Sequence, residues 1–236
     1  MRALPSRVAE LLKRFEASKI LLIEWETSLL QRLGYPLDLF FLIPDDQLEI
    51  AREIGTDLGF YRANEQQLRP AYTSEFSGLG FRYWIDESDV ALLNSSFRRR
   101  RLVLLPLSWT GITRHELAPL SDTSLPCTVW TVPFPVACAA FLRLAARERR
   151  GSLLRTSILG ELANVVGYRR FDMSYEGDYM EFPADDQPLS DKEVFEMENA
   201  VREIRSWVLR GDDEWMREAL IQVVVGQASY DDLPHS

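Results

Sequence analysis

Histidine, lysine and cysteine are nearly missing from this chain, and each shortage closes off a chemistry. Its 236 residues include only two histidines, His115 and His235, so a Ser-His-Asp triad or a multi-histidine metal site is hard to assemble. Cys127 and Cys138 are the only cysteines and no CxxC is present; one disulfide at most can form, and reduced thiols are the expected state. No Walker loop and no complete Gly-x-Gly-x-x-Gly occurs, which argues against the common NTPase and dinucleotide sites. No run of about eighteen apolar residues exists, and Met1 to Arg14 is amphipathic and charged rather than a signal peptide, so a cytoplasmic protein with no membrane partner is expected. Acid/base work would fall on carboxylates, tyrosines or substrate groups.

Lys13, Lys19 and Lys192 are the only lysines. Arginine carries the remaining basic charge and suits bidentate contact to phosphate or carboxylate, although a compositional bias in the source genome produces the same pattern. The net charge of −9 is unevenly spread: from Phe171 onward there are 17 acidic and 5 basic residues, against 19 acidic and 22 basic before it. The field that matters for nucleic acid is that of the exposed face, so an acidic total does not exclude RNA. Two clusters offer a basic face, Arg98 to Arg101 and the set Arg143, Arg147, Arg149, Arg150, Arg155, Arg169 and Arg170. As a nucleic-acid site the candidates are Arg98, Arg99, Arg100, Arg101, Arg147 and Arg150; as solvated faces the same residues pair with the acidic tail. If Arg101 already belongs to a strand, neighbouring arginines point to opposite faces and cannot all meet one ligand.

What is present in strength is hydrophobic pattern: 46% of residues are hydrophobic, enough to bury a core. Apolar runs of strand length occur at Ile20 to Ile23 and at Leu37 to Ile43, the second closed by Pro44. Between them Glu26 to Leu33 carries helix formers and ends at Gly34. The connection is long enough for a crossover, so the two strands can be parallel or lie mixed in one sheet. Asp45 and Asp46 are placed to cap a helix with Leu48, Ile50, Ala51, Ile54 and Leu58 at helical spacing. Tyr61 to Ser77 is polar and reads as loop or frayed hairpin. Further strands are expected at Leu79 to Ile85, Leu102 to Trp109 and Cys127 to Val132.

From Pro133 the pattern turns helical. Apolar faces run through Val136 to Ala145 and Ser152 to Val166; Asp172 to Leu189 reads as an acidic loop. Ser190 with Glu193 forms a capping box for a helix through Arg210, and Asp212 or Asp213 is placed to cap another. The expected architecture is α+β: a mixed central sheet of about five strands with flanking helices over residues 1–132, and a helical C-terminal part over 133–236. The helical stripes are core or a homodimer seam.

Trp25-Glu26, Gly34-Tyr35-Pro36, Asp38 and Pro44-Asp45-Asp46 carry a resemblance. In order and spacing they resemble the fungal minimal nucleotidyltransferase-like proteins, with a turn opening a helix, Gly-x-Pro before a second strand, an acidic strand, then "PD" and a helix. The resemblance covers roughly the first hundred residues and implies a nucleotidyltransferase-like core. Members that transfer nucleotides carry two carboxylates two residues apart on the second strand, which hold Mg2+ against the phosphates. Here that pair is Asp38 and Phe40, so one ligand is an aromatic ring. Phosphate-approaching glycines are replaced by Glu24, Trp25, Glu26, Thr27 and Ser28.

The site expected from this resemblance is therefore a departed one: Glu24, Glu26, Ser28, Asp38 and Asp86, with Mg2+ as the cofactor it implies and no dedicated metal cage. Asp86 stands where a third carboxylate is expected, and equally reads as an acidic turn. Three functions follow. One is a transferase acting on a nucleotide- or tRNA-borne substrate, with Asp38 orienting a metal or a cationic amine and Glu24 or Glu26 as base. Another is tRNA-dependent aminoacyl transfer of the kind catalysed by fungal arginine-containing cyclodipeptide synthases, with tRNA and a small aminoacyl group as partners. The last is a binding or scaffold protein that kept a fold and lost its chemistry.

Overall fold

The computed structural model describes residues 6–26, 38–63, 72–85, 100–120, 125–170 and 190–235. Among these are seven α-helices and one mixed six-stranded sheet, an α+β fold. The chain divides into two compact units, Met1–Pro133 and Phe134–Ser236. The expected helix after Glu26 and the acidic loop before Ser190 lie outside the described residues.

The first unit holds the sheet. Its strands are β1 (Leu22–Glu24), β2 (Leu39–Ile43), β3 (Phe81–Trp84), β4 (Arg101–Pro106), β5 (Ala118–Pro119) and β6 (Val129–Thr131), arranged β3-β4-β2-β1-β6-β5. β2 is buried at all five positions and sits between β4 and β1, the place where an uninterrupted apolar run belongs because both faces are covered. It pairs parallel with β4, Phe40 opposite Val103, and antiparallel with β1, Ile23 opposite Leu42. The first two strands are thus antiparallel neighbours in a mixed sheet. β1 also pairs parallel with β6.

Alternation along these strands defines two faces. On one, Leu22, Leu39, Phe41, Ile43, Leu102 and Leu104 join a core with Val8, Leu11, Leu12 and Phe15 of α1 (Ser6–Ala17). Those α1 residues recur at the spacing of one helical stripe. The helix α2 (Asp45–Asp57) begins directly after Pro44 and adds Ala51 to the same core, with Leu48, Ile54 and Leu58 packed against it. Neither aspartate at its start caps it by a side-chain hydrogen bond. Asp45 instead accepts from the Ser108 amide at 3.0 Å and from its hydroxyl at 2.6 Å, and Asp46 pairs with Arg114 at 3.0 Å. Both carboxylates remain favourably placed at the positive end of the helix dipole.

A short helix, α3 (Thr73–Ser77), occupies part of the stretch expected to be loop. It ends in Gly78 and leads through Gly80 to β3, both glycines having left-handed φ.

The second unit is helical: α4 (Phe134–Arg147), α5 (Leu153–Arg170), α6 (Asp191–Ser206) and α7 (Trp215–Val224). The expected capping box is formed, with the Glu193 amide donating to Ser190 Oγ at 3.3 Å and the Ser190 amide to Glu193 Oε2 at 2.7 Å. α6 stops at Ser206, four residues before the expected end, where Trp207 turns extended. Asp213 caps nothing by a side-chain bond; it is buried against Arg143 and also takes Arg210 at 3.2 Å. Arg155 is fully buried and donates to the carbonyls of Ala145, Leu233 and Pro234, tying the last described turn to α4 and α5. No described helix is long and apolar enough to cross a membrane.

Candidate functional site

The second face of the sheet carries a buried cluster of charge where the first is mainly apolar. Asp38 precedes β2 and shares its face with Phe40 and Leu42; Arg101 opens β4 and shares its face with Val103 and Leu105. Parallel pairing sets Asp38 beside Arg101. The Arg101 amide donates to Asp38 Oδ1 at 2.8 Å, while Nε and Nη2 donate to Oδ2 at 3.0 and 2.9 Å. The same guanidinium reaches Glu75 of α3, Nη2 to Oε1 at 2.7 Å and Nη1 to Oε2 at 3.3 Å. Asp38 and Arg101 are both 0% exposed and Glu75 3%.

Two further residues extend the cluster. Arg82 projects from β3, opposite Val103. Its Nε lies 3.5 Å from Glu75 Oε1, and it donates to the carbonyls of Leu79 and Ser74 at 3.0 Å each. Glu26 leaves β1 with a left-handed φ of 64° and accepts the Ser74 amide at 2.7 Å. The five-residue α3 is therefore held at its amide end by Glu26, at its Ser74 carbonyl by Arg82 and through its own Glu75 by two arginines. Aromatic rings flank the cluster: Phe40 lies 4.6 Å from Tyr72, and Trp25 meets Trp109 edge-on at 6.4 Å, centroid to centroid.

Of the expected site residues, Glu26 and Asp38 come to this one cluster. Glu24 does not, because it pairs opposite Phe41 and so projects to the other face; there it accepts a hydrogen bond from the Thr131 hydroxyl. Ser28, Asp86, Arg98 and Arg99 lie outside the described residues. Arg101 is corrected from a nucleic-acid ligand to a buried ion-pair residue: its strand parity turns it inward onto carboxylates. Arg100 is half-buried, and its carbonyl accepts the Ile85 amide at 2.9 Å. Arg147 and Arg150 are exposed in the second unit, Arg150 standing 4.0 Å from Asp232.

Glu75 and Arg82 were not among the expected residues. A signal for Arg82 existed, since the strand reading that puts Phe81, Tyr83 and Ile85 on one face leaves Arg82, beside Trp84, on the other. Glu75 had none.

The described residues of the site do not fit Mg2+. Asp38 has both oxygens committed to Arg101, and Phe40 offers no donor atom. Among the described residues no group of three or more His, Cys, Asp or Glu side chains could hold a metal ion.

Other polar chemistry is muted. Both cysteines are buried, and burial, with the Glu16 charge adding to it, pushes the Cys127 thiol up to about 12. Burial likewise raises the Tyr83 phenol, whose hydroxyl donates to the Arg52 carbonyl at 3.4 Å. Alkylation of Cys127 in the folded chain at pH 8 is expected to run on the order of a thousandfold slower than in the unfolded chain, because the thiolate is the nucleophile. Mass-resolved iodoacetamide labelling reads this directly, and equal rates in the two states would contradict it.

Compared with known proteins, the chain matches no family model, no curated protein and no solved structure.

Proposed function

We propose that this chain is a non-catalytic binding or scaffold protein on a nucleotidyltransferase-like core, in which an internal guanidinium stands where a working site would hold a cation. The observation that carries this reading is the Asp38–Arg101 pair, fully buried and joined by three hydrogen bonds. A carboxylate so engaged is neither a base nor a ligand without first breaking a buried ion pair, which is costly. Phe40, packed on Tyr72 where a second carboxylate would stand, supports the same conclusion.

A ligand that binds only the folded state raises its apparent stability, by about 2.7 kcal/mol at a hundred times its Kd. Thermal-shift titrations with Mg2+ or Mn2+ plus each nucleoside triphosphate are expected to leave the melting temperature unchanged. A saturable rise that disappears in Asp38→Asn would overturn the proposal.

One observation favours a second reading, the transferase on a nucleotide- or tRNA-borne substrate. Glu26 is a non-glycine residue held at positive φ where β1 ends, and backbone strain of this kind, costing about 1–3 kcal/mol, concentrates at functional sites. In that reading Glu26 meets a cationic amine or an aminoacyl group. Bulk tRNA in the same titration separates the two: a rise with tRNA, lost in Glu26→Gln, favours the transferase.

A further inference from the structure

The turn between α4 and α5 reads Arg149-Arg150-Gly151-Ser152-Leu153; Arg150 is one of the nucleic-acid candidates, but neither the scaffold nor the transferase reading uses Ser152. We propose that Ser152 is a phosphorylation site for an arginine-directed serine kinase. Kinases of this class select substrates by charge pattern, carboxylates in their cleft taking arginines that precede the serine. Here arginines stand three and two residues before the hydroxyl, and an apolar side chain follows it.

The structure presents each element of that pattern. Arg149 and Arg150 are exposed, and Leu153 is 72% exposed at the first position of α5. Gly151 has φ +77°, and a Cβ built there would meet nothing within 4 Å, so the space over the turn is open. Ser152 is half-buried, and its Oγ accepts the Arg155 amide at 3.2 Å. That bond uses an oxygen lone pair and leaves the hydroxyl proton outside it. Laying the segment into a kinase cleft in extended form opens the bonds of Ser152 N to Arg149 O, Arg155 N to Ser152 Oγ and Thr156 N to Ser152 O, at 3.1, 3.2 and 3.0 Å. All three lie at the tip of a helical hairpin, where local opening is least costly.

In the step itself the Ser152 Oγ attacks the γ-phosphorus of ATP. An O–P bond forms, the bond from that phosphorus to the β,γ-bridging oxygen breaks, ADP leaves, and the hydroxyl proton passes to the kinase's base. The product places about −1.5 to −2 charges at the start of an 18-residue helix. The helix dipole favours that charge, and Arg149 and Arg150 stand within the same turn. Arg150, now 4.0 Å from Asp232, gains a stronger competing partner. Nothing in this step depends on whether the first unit binds or catalyses.

The test is incubation of the folded full chain with Mg-ATP and the catalytic subunit of a cyclic-AMP-dependent protein kinase, beside a synthetic peptide of residues 147–155. One phosphoryl group is expected on Ser152 of the folded chain and none in Ser152→Ala. In Arg149→Ala and Arg150→Ala, kcat/KM should fall by about tenfold or more, the worth of one charge-assisted hydrogen bond. Ser152→Ala removes a helix-capping oxygen, so the exposed Arg149→Ala provides the same test in a chain whose caps are intact. Phosphorylation of the peptide but not of the folded chain, or modification elsewhere with Ser152 untouched, overturns the proposal.

Discussion

Arg101→Met is expected to weaken the first unit by about 3–5 kcal/mol, because it leaves carboxylates buried without their cation. Asp38 would lose its two bonds from the guanidinium and Glu75 the same number, while the bond from the backbone amide of residue 101 to Asp38 survives the substitution. Glu75 keeps Arg82 at 3.5 Å, so Asp38 bears most of the cost. The double variant Asp38→Leu with Arg101→Met removes both members of the pair and should lose less than Arg101→Met alone, since replacing a buried ion pair by apolar groups is often close to neutral. With two units in the chain a single global unfolding curve is ambiguous. Hydrogen exchange of the β2 and β4 amides reads the right element, with protection expected to fall by roughly two to four orders of magnitude in the single variant. A loss below about 1 kcal/mol, or a double variant worse than either single one, would show that the pair does not hold this face of the sheet together.

Gly80→Ala should be as damaging by a different route. Gly80 sits at φ +77°, and a Cβ there would lie 2.0 Å from the Leu104 carbonyl oxygen and 3.0 Å from its carbon. Backbone atoms of β4 cannot yield without parting from β2 and β3, so a loss of about 4 kcal/mol or more is expected. Gly78→Ala is the built-in control: its φ of +66° is equally left-handed, but nothing lies within 4 Å of the added carbon. It should cost only the conformational penalty, about 1–2 kcal/mol. Urea denaturation of the two variants side by side separates steric contact from backbone strain, and equal losses would refute the distinction.

Features of the fold written in local pattern were legible in the sequence. The apolar run ending at Pro44 has strand length, and it forms β2 with all five residues buried. The Ser190–Glu193 box needs only three residues of separation, and it forms as written. What escaped was set by partners far away in the chain. The aspartates after Pro44 have the form of caps, yet they face Ser108 and Arg114, 63 and 68 positions on. α3 has five residues and a polar sequence; its reason to be helical and buried is supplied by Glu26, Arg82 and Arg101, none of which a local window contains. Arg101 was half legible, since strand parity forbids adjacent arginines one common face, but only the register of β4 against β2 turns it onto Asp38. Glu24 was misplaced for the same reason: a strand end marks a neighbourhood, and pairing decides the side.

The pairing of β1 with β6 also has a consequence for synthesis. The Glu24 carboxylate waits for a hydroxyl made 107 positions later, and Leu22 for Val129. At about 5–20 residues per second, translation leaves the outer edge of β1 without a neighbour for on the order of ten seconds. Over that interval the nascent sheet offers an open ladder to any other extended chain. Glu24, at the end of that ladder, is a charge of the kind that discourages such encounters, so the residue that looked like a catalytic base has a ready role as a guard during birth of the chain.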